Sequence, residues 1–201
     1  MNFLAHLYLS GNDEELIIGN FIADMVKGQQ INGYSDGIVK GIRLHRHIDH
    51  YTDAHSFVSQ SKGRLRRKYR LYAGVVVDMY YDHFLARYWA EYSRHPLRRY
   101  VDGAYTILKQ NKDILPPRAQ YILPYMTENN WLVNYADLSV LQRNFGGMAR
   151  RTPFNSGMEA AVDDLLQNYQ LFEDEFRAFF PELVEFVAGQ GVSHSHHLTG
   201  H

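Results

Sequence analysis

Cysteine is absent from the chain, so disulfides and thiolate metal sites are excluded. A reducing, cytoplasmic setting is compatible with that lack. Charge of one sign is not in excess either. Lysine and arginine total 21 and aspartate and glutamate total 22, giving a net charge of -1. Nothing in the global balance argues for nucleic acid or a membrane surface. No apolar run approaches the roughly 20 residues that a bilayer span needs. The first residues lack a basic region, and polar residues interrupt their apolar stretch, so they do not read as a signal peptide. Alternating strand patterns of useful length and internal repeats are also missing.

What the chain has is helical periodicity almost throughout. Its 201 residues and 45% hydrophobic content suit one compact all-α domain over residues 1–188. Asn12 or Asp13 is placed to cap a helix through Lys27, with Gly28 as its stop. Ser35 is placed to cap a second helix to about Tyr51. Residues Tyr69 to Tyr92 predict a long aromatic-rich helix, ended by His95-Pro96. Residues Leu97 to Ile114 suggest another helix, and Pro116-Pro117 break the chain before the next. Asp137 and Ser156 are candidate caps for two later helices, and Pro181 is expected to kink or break the last. Residues 189–201 are polar and Gly-rich with four histidines, and read as a disordered tail.

The informative anomaly is polar. Leu71, Val75, Asp78, Asp82, Leu85 and Trp89 follow at steps of four and three, one face of a helix. Four of the six are apolar, so the face is expected to look inward with two carboxylates on it. Ile38, Ile42, His45 and Asp49 form a second such stripe, and Ile17, Phe21 and Asp24 a third. Buried acids are costly unless paired, hydrogen-bonded or metal-bound. Acids and imidazoles aimed inward from three helices make the pattern of a metal site inside a helical bundle. The competing reading is structural pairing with arginines such as Arg43 or Arg143.

Within the dense run Arg43 to His55, only His45, Asp49 and Asp53 stack on one face, while His47 and His50 point elsewhere and read as surface residues. His83 sits at the edge of the Asp82 stripe. His6 lies in an apolar segment and gains weight only from company. An oxygen and imidazole donor set suits Mn²⁺, Mg²⁺, Fe²⁺ or Zn²⁺. Such an ion can activate water and neutralise a phosphoryl oxygen, which points to phosphate ester hydrolysis. Finally, Lys62, Arg64, Arg66, Arg67, Lys68 and Arg70 put six positive charges within nine residues. That run is either a solvated loop or helix start, or a rim that steers an acidic partner or contacts nucleic acid.

The segments Met1-Asn2-Phe3-Leu4-Ala5-His6-Leu7, Gly19-Asn20-Phe21-Ile22-Ala23-Asp24 and Gly41 to Asp49 resemble the acyl carrier protein phosphodiesterase family. So do Thr52-Asp53, Asp78 to Leu85, Asn130-Trp131-Leu132 and Gly147 to Arg151, so the likeness runs in order to about Phe180. The resemblance implies an HD-domain-like helical bundle that removes 4′-phosphopantetheine from holo-acyl carrier protein, with Mn²⁺ as the favoured ion. It implies a functional aspartate at Asp24. The family's other polar positions fall on His6, His45, Asp49, Asp53, Asp78, Asp82 and His83. On that likeness the ion is held by some of Asp24, His45, Asp49, Asp78, Asp82 and His83. Asp24 is then a ligand or base, and His6 protonates the leaving oxygen or orients a ligand. Arg46 or the basic run from Lys62 to Arg70 holds the acidic carrier protein. The sequence leaves other readings open: an HD-like phosphohydrolase of nucleotides or another small phosphodiester, or a non-catalytic helical module binding carrier protein or RNA.

Overall fold

The computed structural model describes residues 1–192, which are helical with no strand among them. The helices are α1 (Phe3–Leu9), α2 (Glu14–Ile22), α3 (Asp36–Ala54), α4 (Ser56–Tyr69), α5 (Ala73–Arg87) and α6 (Trp89–Tyr92). They continue as α7 (Leu97–Gln110), α8 (Pro117–Glu128), α9 (Trp131–Asn134), α10 (Leu138–Arg151), α11 (Ala161–Gln167) and α12 (Tyr169–Gly189). No helix among the described residues is long and apolar enough to cross a membrane. Of the segment expected as a tail, Gly189 closes α12. Residues 193–201, with the four histidines, lie outside the described residues.

Several caps follow the sequence. The Asp13 carboxylate accepts the Leu16 N–H, the Ser35 hydroxyl the Ile38 N–H, and the Asp137 carboxylate the Ser139 N–H. Ser156 caps no α-helix: a 3-10 turn over Met158–Ala160 follows it, and α11 and α12 begin at Ala161 and Tyr169 without a side-chain cap. Three further differences bear on the packing and the site. The helix begun at Asp13 stops at Ile22, and a 3-10 turn over Ala23–Met25 carries Asp24. Pro181 does not break α12. Phe176, Phe179 and Phe180 before or beside it and Leu183 and Val187 after it are all buried, and that packing offsets the roughly 3 kcal/mol a mid-helix proline costs. The third difference is at Arg70, whose φ of +51° ends α4 and re-aims the chain before α5. Leu71 therefore falls outside the register of α5 and is 95% exposed, and Val75 in the first turn is exposed as well. The inward stripe begins only beyond Asp78, at Asp82, Leu85 and Trp89.

The core is aromatic. Tyr8, Tyr81, Phe84, Phe176, Phe179 and Phe180 are fully buried and interlock through tilted, stacked and edge contacts, which binds α12 to α1 and α5. Beside this core α2 lies along α3. Later residues of α2 meet later residues of α3: Glu15 faces Gly37, the Leu16 carbonyl faces Gly41, and Asn20 faces His45. The pair is parallel, so residues 23–35 must cross back along it. The backbones touch at two glycines. A Cβ on Gly19 would stand 2.1 Å from the Ile38 carbonyl oxygen, and one on Gly41 would stand 2.6 Å from that of Leu16. This close approach puts the ends of the α2 and α3 stripes together.

Candidate metal centre

Three elements supply the site. His6 comes from α1, Asp24 from the 3-10 turn after α2, and His45 and Asp49 from consecutive turns of α3. The His45 Nε2 atom lies 3.1 Å from Asp49 Oδ2 and 3.3 Å from Asp24 Oδ1. His6 Nε2 lies 3.2 Å from Asp49 Oδ1. The two imidazoles stack with ring centroids 3.9 Å apart. Both histidines are buried, Asp49 is half-buried, and the Asp24 side chain is 82% exposed, so the cluster opens to solvent at Asp24.

Hydrogen bonds behind the cluster fix the His45 tautomer. The Asn20 amide nitrogen donates to the His6 carbonyl (2.8 Å) and to the Ser10 hydroxyl oxygen (2.9 Å). A carbonyl only accepts, so the Asn20 side-chain oxygen must be the atom turned to His45. His45 Nδ1 then faces two acceptors, Asn20 Oδ1 at 2.9 Å and the Asn20 carbonyl at 3.0 Å, and carries the hydrogen. Nε2 is left to face the two carboxylates. Burial alone would lower the His45 pKa, but the hydrogen bonds to Asp24 and Asp49 outweigh it and raise it to about 9. Burial likewise opposes ionisation of Asp49, yet its bonds to His45 and His6 hold it well below the usual carboxylate range. Asp24 is lowered chiefly by its bond to His45. His6 is lowered to about 4, mainly by burial. Its Nδ1 is buried without a hydrogen-bond partner.

These residues fit a divalent cation. Ligand atoms of His6, His45 and Asp49 all lie within 4.8 Å of one another, with Asp24 at the open side. A histidine that donates Nδ1–H to a carbonyl and presents Nε2 inward has the usual arrangement of a metal ligand. Two ionised carboxylates converging on that nitrogen supply the negative charge a cation needs. The mixed imidazole and oxygen set matches Mn²⁺, Fe²⁺ or Zn²⁺ chemistry.

The remaining candidates have other partners. Asp82 is fully buried and accepts backbone N–H bonds from Asn2 (3.2 Å), Leu4 (2.8 Å) and Ala5 (3.4 Å). It therefore receives the otherwise unpaired donors that open α1, and in doing so places His6. Burial pushes its pKa up to about 7, against the neighbouring α-amino charge and those three N–H donors. Asp78 takes the Met1 α-amino group at 3.0 Å; that group also feels Asp49, so Asp78 borders the cluster. His83 is buried between the Tyr135 carbonyl (2.8 Å) and the Tyr169 hydroxyl (2.9 Å), away from the cluster. Asp53 pairs with Lys62. His47, His50 and Arg46 are exposed. From Lys62 to Lys68 the basic run lies in the C-terminal half of α4 rather than in a loop or at a helix start, and Arg70 opens the 3-10 turn that follows. Asn20 and Ser10 were not singled out by the sequence, although Asn20 sits among apolar neighbours on α2.

A family profile described as acyl carrier protein phosphodiesterase matches residues 1–183. The chain belongs to this family. It is similar to the acyl carrier protein phosphodiesterase of Pectobacterium atrosepticum, 33% identical over 191 residues that cover 94% of this chain and 99% of the relative. It is also similar to that of Photorhabdus laumondii, 34% identical over 186 residues, 92% of this chain and 94% of the relative. The Salmonella agona protein of the same name is 33% identical over 193 residues, 96% of this chain and 100% of the relative. No solved structure matches the chain.

Proposed function

We propose that this chain is a metal-dependent phosphodiesterase that hydrolyses holo-acyl carrier protein to the apo-protein and 4′-phosphopantetheine. The observation that carries the reading is the His6, His45, Asp49 cluster with Asp24 at its open edge. The substrate comes from the names of the full-length relatives.

His45, Asp49, Asp24 and His6 would hold the cation, of which Mn²⁺ suits the donor set and the resemblance best. A divalent ion held there would lower the pKa of water and neutralise charge on a phosphoryl oxygen. Water would add to phosphorus opposite the carrier-protein serine oxygen, the phosphorus–serine oxygen bond would break with its electron pair leaving on that oxygen, and the serine hydroxyl would be restored by a proton from solvent at the open side of the cluster. Asp24, the solvent-facing carboxylate, lies where incoming water and the diester meet the cluster, so it orients that water and takes up its proton. His6 is enclosed beside Asp49 and has no open path to a leaving oxygen, so it serves with Asp49 in holding the cation rather than as the acid. Asn20 keeps His45 Nε2 pointed into the site.

The test is Asp24→Ala against holo-carrier protein, followed by intact mass. Because Asp24 is exposed, helicity and melting should be preserved while turnover falls at least a hundredfold. Turnover within threefold of the unaltered chain would remove Asp24 from the reaction.

A further inference from the structure

Leu71 is the most exposed large apolar side chain among the described residues, at 95%. It stands there because Arg70 adopts φ +51° and ψ -118°, a backbone region costly for a residue with a Cβ. A helix end with glycine at that position would carry no such cost. Leu71 and Arg70 together form the shared wall of two clefts. One, of about 510 Å³, is lined by Lys62, Arg66 and Gly74 as well. The other, of about 480 Å³, adds Arg67, Tyr72 and Phe154, itself 75% exposed.

The charges around Leu71 are only partly used by the fold. Lys62 pairs with Asp53, Arg64 with Glu175, and Lys68 with Asp164. Arg66, Arg67 and Arg70 are exposed and form no ion pair with any described residue. On a chain of net charge -1, three unpaired guanidinium groups around one apolar knob are a local excess. The patch also adjoins the site. Lys62 pairs with Asp53, which lies one turn, about 6 Å of rise, beyond Asp49 on α3.

We infer that Leu71, Arg66, Arg67 and Arg70 form a docking surface for an acidic protein face that carries an apolar side chain at its centre. The inference rests on the proposed reaction, in which one half of the diester is a protein and that protein is the occupant. Charge complementarity selects an acidic partner. Leu71 selects protein over nucleic acid, because phosphate recognition uses the arginines and gives an exposed leucine no role. Arginine is also enriched among the residues that carry binding energy at protein interfaces.

The experiment is anisotropy of fluorescently labelled apo-carrier protein, which has no scissile bond, titrated with the full chain at low and at physiological salt. The variants are Leu71→Ser and the pair Arg66→Glu with Arg70→Glu, each checked for an unchanged melting temperature. Leu71→Ser is expected to raise Kd at least fivefold at either salt. The arginine pair should raise it at least tenfold at low salt and flatten the salt dependence. Variants that bind the carrier protein as the unaltered chain does would overturn the inference. So would a loss confined to labelled single-stranded RNA titrated in parallel, which would make the surface a nucleic-acid contact. Hydrolysis of bis(p-nitrophenyl) phosphate by the unaltered chain reads the catalytic proposal separately. Binding through Leu71 without any hydrolysis would leave docking standing and the reaction refuted; hydrolysis without carrier binding would do the reverse.

Discussion

At the residue scale the site depends on Asn20, a residue that does not itself touch the reaction. Its side chain spans three elements: it donates to the His6 carbonyl and to Ser10, and accepts from His45. Removing the side chain takes away one of the two acceptors that hold His45 Nδ1, the Asn20 backbone carbonyl remaining, and one of the donors to the His6 carbonyl, the Ser10 hydroxyl remaining. Outer partners of this kind are worth ten- to a hundredfold in metal affinity. Asn20→Ala should therefore weaken Mn²⁺ binding in isothermal titration by that factor, with His45→Ala as the reference for complete loss. The reference matters because the four histidines beyond Val192 offer their own donors. Affinity unchanged in Asn20→Ala would mean that the helix frame alone orients His45. A second residue effect concerns acid. His83 is lowered from the usual histidine value chiefly by burial and sits neutral between Tyr135 and Tyr169. A base with a depressed folded pKa binds fewer protons folded than unfolded, so stability is full above pH 6.5 and falls as pH drops below it. His83→Gln should flatten that slope in urea melts between pH 7 and pH 5; an unchanged slope would place the acid sensitivity elsewhere.

At the element scale the site is a consequence of two helices in backbone contact. Gly19 and Gly41 leave no room for a Cβ without moving a carbonyl or a Cα. Gly41→Val should separate α2 from α3, cost about 1–3 kcal/mol in denaturant unfolding, and weaken metal binding with it. Lost metal affinity at full stability would show instead that the contact serves only the site. This dependence explains how far the sequence could be read. His45 and Asp49 were legible because both lie on one face of one helix, four residues apart. Asp24 followed from the α2 stripe, although it sits just past the helix end in a 3-10 turn. The meeting of His6 with Asp49 was not legible, since α1 is placed from a distance by Asp82. Asp82 itself shows the ambiguity of a buried acid. The same inward carboxylate that suggests a ligand also serves to cap a neighbouring helix. Leu71 was misplaced because the turn at Arg70 lacks the glycine that normally announces a left-handed residue.

At the scale of the whole molecule, α1, α3 and the turn after α2 build a carboxylate and imidazole cluster with one open side, and the turn after α4 presents Leu71 rimmed by arginines of that turn and of α4. Family membership and full-length relatives point to carrier protein, and the donor set points to a divalent cation. The measurement that tests this most directly is the intact mass of holo-acyl carrier protein after incubation with the chain, run with Mn²⁺, with chelator, and with chelator followed by excess Mn²⁺. The account predicts loss of the phosphopantetheine mass with Mn²⁺, none with chelator, and recovery on adding metal back. Equal loss in chelator would contradict the metal centre, and no loss under any condition would contradict the reaction.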